Sequence, residues 1–172
     1  MAARADIFDL GRLSLSPGEG RKLELSVRLD DFSFGGQEYR ADPRDVPVLL
    51  DVSRMTGHGY SLRLRFEATV TGPCMRCLGA AQPPFAIDAR EVDQPNAGDE
   101  LDSPYVSADE ELDLHAWARD ALALALPAQI VCRDDCAGLC PQCGRNLNDE
   151  PHEHEPSPDP RWSKLRELKL DG

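Results

Sequence analysis

The spacing of six cysteines is the feature that most constrains this chain. Cys74 and Cys77 form a C-x2-C pair, and the other four cysteines lie within residues 132–143. The sequence has no apolar run long enough to span a membrane and no apolar signal core, so we expect a cytoplasmic protein. Disulfides are rare in the reducing cytoplasm, where clustered thiols are typical of metal binding or catalysis. The cysteines therefore predict a fold organised around at least one metal ion.

The segment Cys140-Pro-Gln-Cys143-Gly144 is typical of a zinc knuckle. Proline fixes the turn, and Gly144 permits the positive φ that lets backbone amides point at the thiolates. His152 and His154 follow downstream, and neutral imidazoles are good zinc ligands. These two cysteines and two histidines form one predicted site, although both rings can bind only if the short H-x-H segment is extended.

The remaining cysteines allow two groupings. In the first, Cys132 and Cys136 join Cys74 and Cys77 across the body in a four-thiolate site. In the second, they join the two knuckle cysteines in one local site, and the C-x2-C pair stays a free dithiol. Iron in a rubredoxin-like site uses similar spacing, but the spacing and the expected compartment favour zinc as the cofactor.

The sequence lacks the usual frameworks for catalysis. It contains no phosphate-binding loop, no G-x-S-x-G motif and no dinucleotide fingerprint. The Cys74–Cys77 pair lies between two predicted strands, whereas a thioredoxin dithiol follows a strand and opens a helix. We therefore expect a structural metal in a protein that is not an enzyme and has no catalytic residues. The alternative is a redox protein or enzyme that uses the metal or a free dithiol.

Alternating apolar residues predict an antiparallel sheet. The clearest period of two runs from Tyr60 to Val70. Residues 113–127 have apolar side chains at helical spacing, with Asp113 as the N-cap and Pro127 as the terminator. The predicted fold class is α+β, an antiparallel sheet packed by one main helix, with a cysteine-rich segment like a zinc ribbon or knuckle and a short C-terminal helix. The predicted strands are 21–29, 46–55, 60–71 and 83–92.

Three segments are expected to be less regular. Residues 1–20 are predicted to be a weakly structured lead-in, and residues 32–45 a turn region. Residues 91–113 contain nine acidic residues and no lysine or arginine. That composition favours a solvated, mobile loop.

The C-terminal part is expected to dock on the body. Residues 159–170 predict a short amphipathic helix, with Trp162, Leu165 and Leu168 along one side. We expect one domain overall, formed by a body of residues 1–130 and a cysteine- and histidine-rich appendage of residues 131–172.

The charge limits how the chain can meet nucleic acid. Its formal net charge is -12, whereas nonspecific affinity for nucleic acid comes from lysine and arginine on phosphates. Contact with RNA would need a local basic surface, or a protein partner that does the binding. The candidates for contact with RNA or a partner are Arg63, Arg65 and Arg76. A further alternative is a binding module that holds a basic partner through the acidic residues 91–113.

Four segments occur in an order that resembles one bacterial family. They are GPCMRCL, DLHAWARDALALALP, VCRDDCAGLCPQCGRNLN and DPRWSKLREL, within roughly residues 60–170. This series resembles the YceD family, named for the accumulation of large-subunit ribosomal RNA. The family's metal-like cysteines correspond to all six cysteines of this chain. Many relatives carry C-x-C where this chain has His152 and His154.

The resemblance implies a role and partners. The role is in 23S ribosomal RNA synthesis or processing and in assembly of the large ribosomal subunit. The implied partners are ribosomal RNA, a large-subunit ribosomal protein or assembly intermediates. It implies neither a membrane nor a small-molecule substrate.

Overall fold

A computed structural model describes residues 3–56, 58–95, 98 and 101–154 of the chain. Most of its strands form one largely antiparallel sheet, and one helix packs on it, in agreement with the predicted α+β class. The elements are β1 (Ala3–Arg4), β2 (Ile7–Asp9), β3 (Gly20–Arg28), β4 (Phe32–Phe34), β5 (Gln37–Asp42), β6 (Asp45–Arg54), β7 (Tyr60–Pro73), β8 (Ala80–Ala81), β9 (Pro84–Asp93), β10 (Glu111–Asp113) and α1 (Leu114–Ala125).

Strand β7 is the centre of the sheet. Its first half pairs with β6 on one edge, and β9 pairs along the other edge. Its last residues pair with β5 and β8. Strand β3 extends the sheet beyond β6, and β1 pairs with β3 in parallel. The four predicted long strands are confirmed, because each differs from its prediction by only one or two residues at either end.

Residues 32–45 contain a β-hairpin where a turn region was predicted. Strands β4 and β5 pair with Phe32 opposite Tyr39. Gly35 and Gly36 make the turn at φ values of 58° and 77°. A two-residue hairpin turn with both φ values positive is readily made by glycine, because it has no Cβ. The prediction was wrong because Gly-Gly between alternating aromatic residues is itself a hairpin signal.

This hairpin supports the end of β7. The ring of Tyr39 lies directly on Gly72, where a Cβ atom would overlap it. The Tyr39 hydroxyl donates a hydrogen bond to the Pro73 carbonyl at 2.9 Å. Tyr39 is only 1% exposed. The hairpin therefore fixes the backbone immediately before Cys74.

Paired strands occur in described parts of residues 1–20 and 91–113, where a weakly structured lead-in and a loop were predicted. Strand β2 pairs with β10, with Phe8 opposite Leu112. Leu10 and Leu112 are buried. Each of these strands is only three residues long, too short to show an alternating pattern, and each depends on the other for its hydrogen bonds.

Helix α1 forms as the sequence predicts. The Asp113 side chain accepts a hydrogen bond from the Ala116 amide at 2.8 Å, and the helix ends before Pro127. Its inward face packs on β3 and β9. The buried helix residues are Leu114, Trp117, Ala118, Ala121 and Leu122.

The core lies between the inner face of the sheet and this helix. Even-numbered residues of β6 and β7, from Val46 to Val52 and from Tyr60 to Val70, are buried. Within the described ranges, no helix is long and apolar enough to cross a lipid bilayer. The predicted helix at 159–170 lies outside the described residues.

Candidate metal centres

Four cysteines from two distant parts of the chain meet in one cluster, here called the four-sulfur cluster. Its members are Cys74, Cys77, Cys132 and Cys136. The first two lie in the turn between β7 and β8, and the other two follow α1. All four sulfur atoms lie within 4.8 Å of one another. This is the first of the two groupings that the sequence left open.

The distances suit a tetrahedral ion. The Cys74 and Cys136 sulfurs are 3.8 Å apart, and those of Cys77 and Cys132 are 3.7 Å apart. A tetrahedral ion with metal–sulfur bonds of about 2.3 Å separates its sulfur ligands by about 3.8 Å. The two pairs therefore have the spacing of ligands on opposite edges of one tetrahedron. The cluster could hold a metal ion.

Backbone hydrogen bonds hold the two halves of this cluster together. The Leu78 amide donates to the Cys74 carbonyl at 2.9 Å, which closes the tight turn predicted for the C-x2-C pair. The Met75 amide donates to the Ile130 carbonyl at 2.8 Å, and the Leu139 amide donates to the Arg76 carbonyl at 3.0 Å. The turn after β7 is therefore joined to the segment after α1 on both sides of the sulfurs.

Two polar side chains brace the same cluster. Arg76 donates to the Gln129 side chain at 3.1 Å and to the Cys136 carbonyl at 3.3 Å. Asn148 donates from its amide nitrogen to the Cys136 sulfur at 3.5 Å, and its carbonyl oxygen accepts from the Ala137 amide at 2.9 Å. Asn148 thus orients a sulfur and the backbone beside it.

The crowded thiols of this cluster differ strongly in acidity. Burial disfavours the Cys74 thiolate, but hydrogen bonds from backbone amides, including that of Arg76, outweigh it and lower the pKa of Cys74 to about 6. Desolvation and the neighbouring thiol groups raise the pKa of Cys132 to about 12. Such a split is expected of interacting groups that share one site.

A second group, here called the Cys2His2 cluster, is local in sequence. It contains Cys140, Cys143, His152 and His154, whose ligand atoms also lie within 4.8 Å of one another. Gly144 has a φ of 72°, and its amide donates to the Cys140 carbonyl at 2.8 Å, as the knuckle pattern predicts. This cluster could also hold a metal ion.

The imidazole of His152 is oriented for binding through one nitrogen. Its Nδ1 atom lies 2.7 Å from the Glu150 carbonyl oxygen, so Nδ1 carries the proton and donates. Its Nε2 atom is then free to act as a ligand, and it lies 3.1 Å from the Cys143 sulfur. A carbonyl that fixes the tautomer of a histidine is common in metal sites. The Glu150 carbonyl and Cys140 raise the pKa of His152.

The acidity of Cys140 follows from the knuckle turn. Backbone hydrogen bonds from the amides of Cys143 and Gln142 lower the pKa of Cys140 to about 6, although burial opposes them. The turn therefore favours the thiolate, which is the form that binds metal.

The three candidate arginines each make polar contacts within the chain. Arg63 makes a two-point ion pair with Asp88, through distances of 2.7 and 2.5 Å. Arg65 pairs with Asp51 at 2.6 Å. Asp88 raises the pKa of Arg63 through the same hydrogen bonds. Arg63 and Arg65 are therefore both paired with carboxylates of the chain, and Arg76 is hydrogen-bonded beside the four-sulfur cluster.

The chain matches the sequence profile described as "Large ribosomal RNA subunit accumulation protein YceD" over residues 62–169. The chain belongs to the YceD family. All eight predicted metal ligands lie within the YceD match.

Relatives of this YceD chain extend the similarity to nearly its whole length. An uncharacterized protein of Mycobacterium tuberculosis (strain H37Rv) is 42% identical over 170 residues, which cover 93% of this chain and 79% of that protein. An uncharacterized protein of Mycobacterium leprae is 32% identical over 171 residues, 94% of this chain and 76% of that protein.

A shorter match comes from a chloroplast protein of Zea mays, named as a large ribosomal RNA subunit accumulation protein YCED homolog 1. It is 42% identical over 44 residues, which cover 26% of this chain and 15% of that protein. No solved structure is significantly similar to this chain.

Proposed function

We propose that this chain is a non-enzymatic factor in ribosome biogenesis that promotes the accumulation of large-subunit ribosomal RNA. Its action would be on 23S ribosomal RNA synthesis or processing and on assembly of the large subunit, in the cytoplasm. Membership of the YceD family carries this proposal, because the family description and the Zea mays relative both refer to ribosomal RNA accumulation. A fold alone does not identify a function, whereas family membership and the two candidate sites do support one.

The proposal includes two structural zinc ions, one in each cluster. The four-sulfur cluster has the spacing of a four-thiolate site, and the Cys2His2 cluster combines the two commonest zinc ligand types. Four protein ligands fill a tetrahedral site, whereas catalytic zinc keeps a position open for water. Complete ligand sets therefore support a structural role in a protein that is not an enzyme.

The appendage of residues 131–172 is proposed to act with the body of residues 1–130 as one domain. Two hydrogen bonds support this arrangement, from the Leu139 amide to the Arg76 carbonyl and from the Arg76 side chain to the Cys136 carbonyl, because they tie the appendage to the turn after β7. A zinc ion would add on the order of 10 kcal/mol to that connection.

The partner is proposed to be ribosomal RNA or a large-subunit ribosomal protein within an assembly intermediate. The paired Arg63 and Arg65 side chains are 37% and 35% exposed, and they are the proposed contact residues together with the exposed Arg76. Neither a membrane nor a small-molecule substrate belongs to this proposal.

Zinc content tests the metal part. Protein purified under reducing conditions should contain two zinc ions per chain by plasma mass spectrometry. Iron in their place, or no metal in protein that remains folded after chelation, would contradict the assignment.

A complementation experiment tests the function. In a bacterium that lacks its own YceD protein, this chain should restore the ratio of 23S to 16S ribosomal RNA. The double variant Cys140→Ala/Cys143→Ala should restore it poorly, whereas Gln142→Ala, which changes the same turn without removing a ligand, should act like the native chain. Full complementation by a folded, metal-depleted double variant would refute a role for the Cys2His2 cluster.

A further inference from the structure

An open cavity of about 600 Å3 lies at the opposite end of β9 from the candidate metal centres, between the start of β7 and the acidic segment. We call it the acidic cavity. Its carboxylate-bearing residues are Asp93, Asp102 and Glu110. Its volume falls within the range of about 300–1,000 Å3 that is typical of ligand pockets.

The most informative residue in this cavity is Asp93. It is only 5% exposed. Among the described residues, its side chain accepts one hydrogen bond, from the Ser103 amide at 3.3 Å, and it makes no ion pair. Buried carboxylates are normally paired with a cation or fully hydrogen-bonded. Asp93 therefore lacks a cationic partner in the described part of the chain.

Burial and neighbouring carboxylates make an unpaired Asp93 carboxylate still less favourable. Burial and the nearby carboxylates of Asp102 and Glu110 raise the pKa of Asp93, against the opposing hydrogen bond from Ser103. Glu110 is already neutralised by Arg54 at 2.8 Å. His58 also lines the cavity, and together with Arg54 it lowers the pKa of Glu110. Among the described lining residues, Asp93 and Asp102 are the carboxylates that make no ion pair.

One wall of the cavity already binds a guanidinium within the chain. The Arg54 guanidinium lies 4.5 Å from the centre of the Tyr60 ring while it pairs with Glu110. Carboxylate pairing combined with stacking on an aromatic ring is the chemistry by which proteins hold arginine. Val106, Ala108 and Pro95 supply apolar surface beside it, which suits the methylene stem of a long cationic side chain.

We propose that the acidic cavity binds an arginine side chain presented by a protein partner. A bare metal ion fits less well, because the cavity of about 600 Å3 is many times larger than the volume of one water molecule, about 30 Å3. Nucleic acid is disfavoured by the negative charge. The inference goes beyond the proposed role in ribosomal RNA accumulation, and it assigns a separate surface with its own ligand class.

The test is an amide NMR titration of the full chain with the peptide acetyl-Gly-Gly-Arg-Gly-Gly-amide. The matched peptide has citrulline in place of arginine, which keeps the shape and removes the charge. The arginine peptide should shift the amide of Ser103 and those of the residues that line the cavity, and the shifts should saturate. The citrulline peptide should not bind.

Two amide substitutions separate the cavity from general charge. Asp102→Asn should weaken arginine-peptide binding about five-fold, roughly the effect of one partly exposed charge pair. Asp109→Asn makes the same charge change in the same segment outside the cavity lining, and should change binding less than about two-fold. Equal effects of the two variants, equal binding of the two peptides, or no saturation would each overturn the proposal. Failure here would leave metal content and complementation unaffected, so the two proposals can fail separately.

Discussion

The two cysteine clusters have similar ligands, but they differ in how far apart those ligands lie in the sequence and in how deeply they are buried. In the four-sulfur cluster, Cys74 and Cys136 are 62 residues apart in sequence and both are buried. In the Cys2His2 cluster, Cys143 and His152 are nine residues apart, and Cys143 is exposed. The first cluster closes a long loop that contains β9 and α1, whereas the second organises only its own segment.

This difference determines what each ion would stabilise. Closing a long loop removes more unfolded-state entropy than closing a short one, although the dependence on length is weak. More important, the buried four-sulfur cluster is continuous with the core, because Cys74 and Cys136 pack among its apolar residues. Disrupting the four-sulfur cluster should therefore destabilise the whole core. Disrupting the Cys2His2 cluster should destabilise only the residues near the knuckle.

The largest expected effect comes from breaking the four-sulfur cluster. Cys136→Ser should remove one zinc ion and lower the free energy of unfolding by several kcal/mol, up to the order of 10 kcal/mol that a structural zinc contributes. Urea unfolding measures this change through the fluorescence of Trp117, which is buried against the sheet, in a Trp162→Phe background that removes the other tryptophan. An unfolding curve equal to that of the native chain would remove the distinction between the clusters.

The matched substitution in the Cys2His2 cluster should change the free energy of unfolding very little. Cys143→Ser should also remove one zinc ion, yet it should alter the unfolding free energy reported by Trp117 by less than about 1 kcal/mol. Hydrogen exchange should become faster in residues 140–152 alone. A loss as large as that of Cys136→Ser would show that the knuckle is coupled to the core.

Asn148 gives a finer test of the four-sulfur cluster. Asn148→Asp keeps the oxygen that accepts from Ala137 but removes the donor to the Cys136 sulfur and adds a negative charge beside it. Metal affinity should fall about ten-fold, the lower end of the usual effect of a residue that orients a ligand. Competition with a chromogenic chelator measures it.

The control is Asn146→Asp in the same Asn-Leu-Asn motif. Asn146 contacts Asn148 but none of the sulfurs. It should weaken metal binding less than Asn148→Asp does. The reverse order would mean that the motif acts through its turn and not through the sulfur.

The smallest loss of stability is expected from removing the Arg54–Glu110 ion pair, which is remote from both clusters. It serves as a reference for the larger losses at the clusters. Hydrogen bonding to Arg54 lowers the pKa of Glu110 below its usual 4.5. The stabilisation is therefore complete above pH 4.5 and is lost as the pH falls through the lower folded-state pKa. Glu110→Gln should cost at most about 1 kcal/mol at pH 7 and nothing in strong acid, as measured by urea unfolding at several pH values.

The adjacent substitution Glu111→Gln is its control. Glu111 makes no ion pair among the described residues, so Glu111→Gln removes one charge from the same segment and keeps the Arg54–Glu110 pair. A pH dependence that Glu110→Gln leaves intact would assign the acid sensitivity to another group.

Periodicity was sufficient to predict the long strands and α1. Strand β7 alternates from Tyr60 to Val70 without interruption, and Asp113 has the side chain that a helix N-terminus requires. These signals are local. They depend on residues only a few positions apart, and such local patterns can be recognised in a single sequence.

The parts that could not be predicted depend on contacts between distant segments. Strand β2 forms because β10 is beside it, and neither segment carries a strong pattern. The grouping of the cysteines depends on how close the segment after α1, which carries Cys132 and Cys136, lies to the turn after β7. Asn148 was missed because an asparagine in a polar segment gives no sign that its amide faces a sulfur.

The 62-residue separation within the four-sulfur cluster also sets an order of events during synthesis. A translating ribosome adds about 5–20 residues each second, so Cys74 waits at least about 3 seconds for Cys136 to be made. If the four-sulfur cluster holds a metal ion, as proposed, the ion cannot gain its full set of ligands before Cys136 has been made. A shortage of that ion would then leave newly made chains incomplete at this late step.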